Sequence, residues 1–366
     1  MKALKSLIAL SIFHGCIVLA AQNGAAQTWE LGPFVRPDNV NPIIKPNTNL
    51  VFDCPMNNRP VEWAALNTFN PGAVLKDRHV CVLFRSEDAS GSMSIGGHTS
   101  RIGLAESSDG RHFVCRTAPV LFPAEDNQKV NEWTGGCEDP RVVEADNGMY
   151  VIMYTEYRRD SAARIPRLGV ATSPDLIHWD KHGPVFEKLG GDFAGHNCKS
   201  GAILTRLVNG RLIAMKYQGK YWMYWGEGEI RLANSDNLLD WNPGPVVLRT
   251  RPDKFDSALV EAGPPAVITD HGILLIYNGK NASDNGDKSL PGGIYSGGQA
   301  LFDLNDPTKL LQRTDSPFFK PEADFERTGQ YTAGTTFLEG LVHFHNEWLL
   351  FYGCADSFVG MAAAKD

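Results

Sequence analysis

Five copies of one short pattern, spaced almost evenly, constrain this chain more than any other feature. "LAESSDGRHF" (104–113), "VATSPDLIHW" (170–179) and "LANSDNLLDW" (232–241) each place Ser two residues after an Ala and an aromatic residue eight after it. "QALFDLNDP" (299–307) is a degraded copy, and the terminal "VGMAAAKD" opens a fifth. The anchoring alanines at 105, 171, 233, 300 and 362 are 66, 62, 67 and 62 residues apart. Before each anchor stands a short segment rich in β-branched and aromatic residues: "HVCVLFRSE", "MYVIMYTEY", "GRLIAMKYQ", "HGILLIYNG" and "NEWLLFYGC". Such segments, bounded by turn formers, read as buried strands. Few stretches carry a helical apolar period. A strand-rich repeat long enough for four strands predicts an all-β, five-bladed β-propeller, with one blade completed from both ends of the chain.

The N-terminus carries a different signal. Lys2 and Lys5 precede an apolar run from Leu7 to Ala21, with small residues near 19–21 and 24–26 suited to cleavage. Residues 1–26 are therefore expected to be a signal peptide and 27–366 a single catalytic propeller domain. The run is too short for a confident membrane span. Export to periplasm, cell surface or medium follows, with lipoprotein processing at Cys16 left open. A net charge of −7 without a Lys/Arg-rich patch argues against a nucleic-acid partner. The ten His show no paired ligand spacing, so neither metal nor other cofactor is expected. Of the six cysteines beyond residue 26, several read as small apolar strand residues, and disulfides are permitted but not required. Eight Trp suit a carbohydrate cleft, though filling blade cores explains most of them equally well. Oligomeric state is open.

In a propeller the innermost strands converge on the axis. "FNPGAV" (69–74), "GGCEDPR" (135–141), "HNCKSGAIL" (196–204), "VEAGPPAVI" (260–268) and "TAGTTFLEG" (332–340) occupy equivalent places in the repeat. Asn70, Asp139, Lys199 and Glu261 are thus expected to line one polar axial pocket suited to a small hydroxylated ligand. Asp139 as a plain turn acid is the bland alternative.

These segments, with "FRSED", "SPDLIHW", "EAGPPAVITDHGILLIYNG" and "YGCAD", resemble glycoside hydrolase family 130, the β-mannoside phosphorylases and hydrolases, over nearly the whole mature length. The resemblance implies a terminal β-linked mannose in the axial pocket and Asp139 as general acid, delivering its proton through the sugar's 3-hydroxyl. Phosphate-using members typically carry a Lys before the GPP segment and a His in a "YHG" run. Here those places read "ALVEAGPP", with Glu261, and "IYNG", with Asn278. A carboxylate where phosphate would bind points to a water-activating hydrolase. Glu227, in "YWGEGEI", and Glu261 match the two glutamates that hydrolytic members place around the attacking water, with Glu229 as a fallback.

Asn70, Asp356 and Asn278 are expected to contact mannose; Arg85, Arg141 and Lys199, to orient it or balance buried charge, with purely structural roles for these cations equally open. An inverting mechanism also predicts a raised pKa for Asp139. The expected function is exo-hydrolysis of β-1,2-linked mannosides, with mannose-containing oligosaccharides as substrate. A mannoside phosphorylase and a non-catalytic carbohydrate-binding propeller are the alternatives. The loop 279–298 is expected near the pocket, where it would select the leaving group.

Overall fold

The computed structural model describes residues 29–91, 94–160 and 163–366, so the signal segment 1–26 and Cys16 lie outside the described residues. The chain is all-β, as the repeat requires. Apart from a separate pair, Val51–Cys54 with Arg59–Glu62, its described strands form five antiparallel runs. The first joins Asn67–Lys76, His79–Glu87, Ser100–Ser107 and Val114–Cys115. The second joins Thr134–Ala145, Tyr150–Arg159, Arg164–Ser173 and Asp180–Pro184. In the third, Gly201–Val208 pairs with both Arg211–Ala214 and Tyr221–Trp225, and Ile230–Ser235 and Trp241–Leu248 follow. The fourth lays Leu259–Ala262 and Ala266–Thr269 against Gly272–Lys280, then Tyr295–Phe302 and Leu310–Arg313. The last joins Thr336–Phe344, Glu347–Cys354 and Phe358–Lys365. Val35 and Ile44, near the other end of the chain, bridge to Ala363 and Val359 of that final strand.

The repeated Ser-x-Asx pattern is the turn that ends Ser100–Ser107, Arg164–Ser173 and Ile230–Ser235 in the first three runs. Ser173 Oγ accepts the Leu176 N–H at 2.8 Å, and Asp175 Oδ1 accepts those of Ile177 and His178, each at 2.8 Å. Ser107 with Asp109, and Ser235 with Asn237, repeat the arrangement. Side-chain oxygens thus satisfy N–H groups that the ladder has released. The residue three after each Ser has positive φ: Gly110 at 70°, Leu176 at 69° and Leu238 at 66°. Glycine adopts that region freely, whereas the two leucines are held there with side chains buried in the core.

The core is divided among the runs. One apolar cluster sets Val80, Val82 and Phe84 of the first run against Val342, Leu349 and Phe351 of the last. Others fill the gaps between the first and second, second and third, third and fourth, and fourth and fifth runs. Each middle strand is therefore covered on both faces, which is why "CVLF", "VIMY", "LLIY" and "LLFY" are continuous apolar runs rather than alternations. Trp63 and Trp241 are fully buried in this packing, each contributing on the order of 2–3 kcal/mol. The six described cysteines are free thiols, four of them buried. No described helix is long and apolar enough to cross a membrane.

Candidate active site

The inner strands bulge where they meet. In the first run Phe69 faces Arg85 and Pro71 faces Phe84, leaving Asn70 extra. In the second, Glu138 faces Thr155 and Arg141 faces Met153, so Asp139 and Pro140 share one partner position. In the fifth, Leu338 faces Tyr352 and Gly340 faces Phe351, so Glu339 is extra. A bulge re-aims a side chain out of the pleat. Asn70 and Asp139 sit at φ 46° and 49°, a region their short polar side chains tolerate. Two glycines make room for this: a Cβ on Gly136 would meet Ser100 O at 2.0 Å, and one on Gly353 would meet Asn70 Oδ1 at 2.2 Å. The "GGCEDPR" and "YGCAD" segments are thus shaped by close backbone approach.

The first two bulges open onto a cavity of about 280 Å³, the scale of one sugar ring. Asp139 Oδ1 accepts hydrogen bonds from Asn70 Nδ2 at 2.8 Å and Arg85 Nη1 at 3.1 Å. Arg85 Nη2 lies 2.8 Å from both Glu87 and Glu138, and its guanidinium stacks 4.5 Å from the Phe69 ring centroid. On the other side, Lys199 Nζ is 3.8 Å from Asp139, 3.5 Å from Glu227 and 3.3 Å from Glu261. Ser200 Oγ donates to the Glu261 carboxylate, and Glu227 and Glu261 face each other across an isolated antiparallel bridge. The Glu227 side chain is 42% exposed, while Glu261 is buried. Asp356, at φ 51°, completes the acidic wall, and Tyr295 and Tyr331 form an aromatic one with ring centroids 5.5 Å apart.

Not every expected residue faces the cavity. Asn278 is outside the lining: its amide accepts the Leu338 N–H at 2.8 Å and donates to the Leu338 carbonyl at 3.0 Å, clamping the fourth run to the fifth. Replacing it with Ala is expected to lower stability by about 1–3 kcal/mol, the cost of unpaired buried main-chain groups. Turnover per folded molecule should stay unchanged, as urea denaturation and kcat measured together would show. Arg141 is also outside the lining and holds carbonyls beneath it. Glu229, the fallback base, is taken by Arg231 and Arg249.

The expected raised pKa of Asp139 is corrected by the structure. Burial pushes its carboxyl up, but Arg85, Lys199 and Arg141 together with the Asn70 donor outweigh burial and hold it below the usual range. The raised acids are its neighbours. Burial carries Glu138 to about 7 against the opposing pull of Arg85, and carries Asp356 likewise to about 7. Burial also raises Glu261, which Lys199 opposes and Glu227 reinforces. Lys199 stays charged because those carboxylates outweigh its own burial.

Glu87, Tyr295 and Tyr331 were not singled out from sequence, and Glu138, visible there as the carboxylate adjacent to Asp139, was given no role of its own. Glu87 was legible, since it lies two residues after Arg85 and so on the same strand face. Among the described residues no cluster of His, Cys, Asp or Glu is arranged to hold a metal ion.

Strand runs meeting at an acidic, sugar-sized cavity with an aromatic wall are the architecture of a carbohydrate-active enzyme. Residues 34–366 match the family model of glycoside hydrolase family 130, described as beta-1,4-mannooligosaccharide phosphorylase, and the chain belongs to that family of mannoside-active enzymes. It is 29% identical over 301 residues to the 1,2-beta-oligomannan phosphorylase of Thermoanaerobacter sp. (strain X514), covering 82% of this chain and 90% of that one. A glycosyl hydrolase structure from Bacteroides ovatus is 50% identical, covers 92% of this chain and 94% of its own, and superposes with a TM-score of 0.88. Another solved structure is 48% identical, with 92% and 97% coverage and a TM-score of 0.89. It comes from work describing family members that are glycoside hydrolases targeting β-1,2 mannosidic linkages in Candida mannan.

Proposed function

We propose that this chain is an exported, inverting exo-β-mannosidase that hydrolyses terminal β-1,2-linked mannose, on a single five-bladed propeller spanning 27–366. One observation carries the choice of water over phosphate. Lys199, the cation beside Glu261, already has three carboxylates within 4 Å. A phosphate anion placed there would meet Glu227 and Glu261, each repelling it by about 4 kcal/mol at 4 Å and an effective dielectric near 20. A neutral water meets no such barrier and finds two acceptors. Relatives near 50% identity that are described as hydrolases support the same reading, against phosphorylases at about 30%.

In this mechanism mannose fills the axial cavity with Asn70 and Asp356 on its hydroxyls. Asp139 gives a proton to the glycosidic oxygen through the 3-hydroxyl, and Glu227 with Glu261 holds and deprotonates the attacking water. For that step Asp139 carries the proton in the substrate complex; Glu138 and Asp356, each raised to about 7 by burial, are the neighbouring acids that hold protons near neutral pH.

The test is incubation of the mature protein with β-1,2-mannobiose, with and without inorganic phosphate, and identification of the products. Free mannose at a rate indifferent to phosphate is expected. Mannose 1-phosphate formed only in the presence of phosphate would overturn the hydrolase reading in favour of phosphorolysis. Binding without any turnover would favour a non-catalytic propeller.

A further inference from the structure

The bulge in the fifth run has no part in the reaction outlined above. It turns Glu339 inward, yet the side chain is fully buried and lies outside the cavity lining. Neither of its oxygens has a hydrogen-bond partner among the described residues. The 3.1 Å approach of Arg141 Nη1 to Oε1 is a charge contact. Burial pushes this carboxyl well above the usual carboxylate range and Arg141 opposes that push, so its charge is held by the one 3.1 Å contact. Such a placement is costly unless the pair does something for its surroundings.

Arg141 shows what that is. It is itself buried, and its N–H groups go to the carbonyls of Asp139 at 3.1 Å, Ala262 at 2.9 Å and Gly263 at 3.1 Å. Those carbonyls belong to the two segments that carry Asp139 and Glu261. The same guanidinium lies 3.9 Å from the Glu261 carboxylate, close enough to turn towards it. We infer that Glu339 is a positioning residue of the reaction: its charge keeps Arg141 on the three carbonyls and off the Glu261 carboxylate, fixing the spacing of acid and water-holding base. The inference rests on the roles proposed above for Asp139 and Glu261.

The charged and titratable groups bearing on Glu261 are Lys199, Glu227, Arg141, Tyr295 and Glu339; those bearing on Glu339 are Arg141, Asp139, Glu261 and Lys199. In Glu339→Gln the size is kept and the charge is lost. Arg141 then swings its uncompensated charge towards Glu261 and favours the ionised base. The expected result is a fall in kcat of about tenfold or more with KM within about twofold. The acid limb of kcat/KM should move down by about half a pH unit or more. Glu339→Asp keeps the charge but withdraws it by one methylene, so it should show the same split at smaller size; it serves alone if the amide variant does not fold.

A lowered Tm with wild-type kcat and an unmoved limb, in whichever variant folds, would mean a purely structural role and overturn the inference. Asp139→Asn and Glu261→Gln belong in the same assays. If they turn over normally, the reading of the site itself fails. If they are impaired while the Glu339 variants behave as wild type, the positioning role alone fails.

Discussion

Asp139→Asn is expected to reduce kcat on β-1,2-mannobiose by roughly 10³- to 10⁴-fold, the upper part of what a positioned general acid contributes. The amide keeps the shape of the carboxyl and its neighbours keep the pocket, so mannose binding measured by calorimetry should survive within a few fold. Wild-type turnover in this variant would sink the assignment of the acid. The pH profile is a second readout with a definite sign. Asp139 sits among Arg85, Lys199 and Arg141, which with the Asn70 donor hold its carboxyl below the usual range against burial. The acids that hold protons near neutral pH are its neighbours Glu138 and Asp356, both raised to about 7. Each is protonated below that pH and ionised above it. With the Glu138 proton as the one required, the kcat/KM of the wild type should decline by about tenfold per unit as pH rises past 7. Burial is the main reason Glu138 is raised, and the Asp139 charge adds to it. In the residual activity of Asp139→Asn that basic limb should therefore move to lower pH. Glu138 and Asp139 titrate as a pair, and the limb reports the pair rather than either residue.

What the sequence showed of this molecule and what it hid have separate physical causes. The repeat was visible because its two parts are local. A strand buried on both faces must be continuously apolar, and the turn after it must supply Ser and Asx oxygens to released N–H groups, as Ser107, Ser173 and Ser235 do. Equivalent places in that repeat also led to Asn70, Asp139, Lys199 and Glu261, and hydrogen bonds or charge contacts under 4 Å link these four. The role of Asn278 was not legible, nor were the particular carbonyls that the charge-balancing Arg141 holds, because these are decided by main-chain groups from another run: Leu338 for one, Ala262 and Gly263 for the other. The direction of the Asp139 shift was hidden for the same reason. An acid's sequence neighbours reveal one adjacent carboxylate and one nearby Arg, Arg141, whereas Arg85 and Lys199, brought in from other runs, add to it in lowering the Asp139 carboxyl. Glu339 was hidden more deeply, since only the skipped register between Leu338 and Gly340 turns it inward.

Glu261→Gln separates two things that Glu261 does in the proposed reaction. As the buried acceptor of the water's proton, its loss should cost roughly 10²- to 10³-fold in kcat, with KM changed little because the sugar's hydroxyl contacts remain. Glu227→Gln is the comparison. That side chain is 42% exposed and 3.5 Å from Lys199, so solvent offers it a substitute that buried Glu261 lacks. The larger defect should therefore belong to Glu261, and turnover within threefold of wild type would remove Glu261 from the water-handling role. The second effect is electrostatic. Glu261 is the nearest carboxylate to Lys199, at 3.3 Å, and neutralising it leaves the ammonium facing Glu227 and Asp139 alone. A repulsion of about 4 kcal/mol against an anion at that point disappears with it. Phosphate, without effect on wild-type mannose release, should then act as a competitive inhibitor of the residual activity of the amide variant. Inhibition that appears only in Glu261→Gln would tie the exclusion of phosphate to this one charge. Equal inhibition of both proteins would mean that other groups admit the anion and that the charge on Glu261 does not decide between water and phosphate.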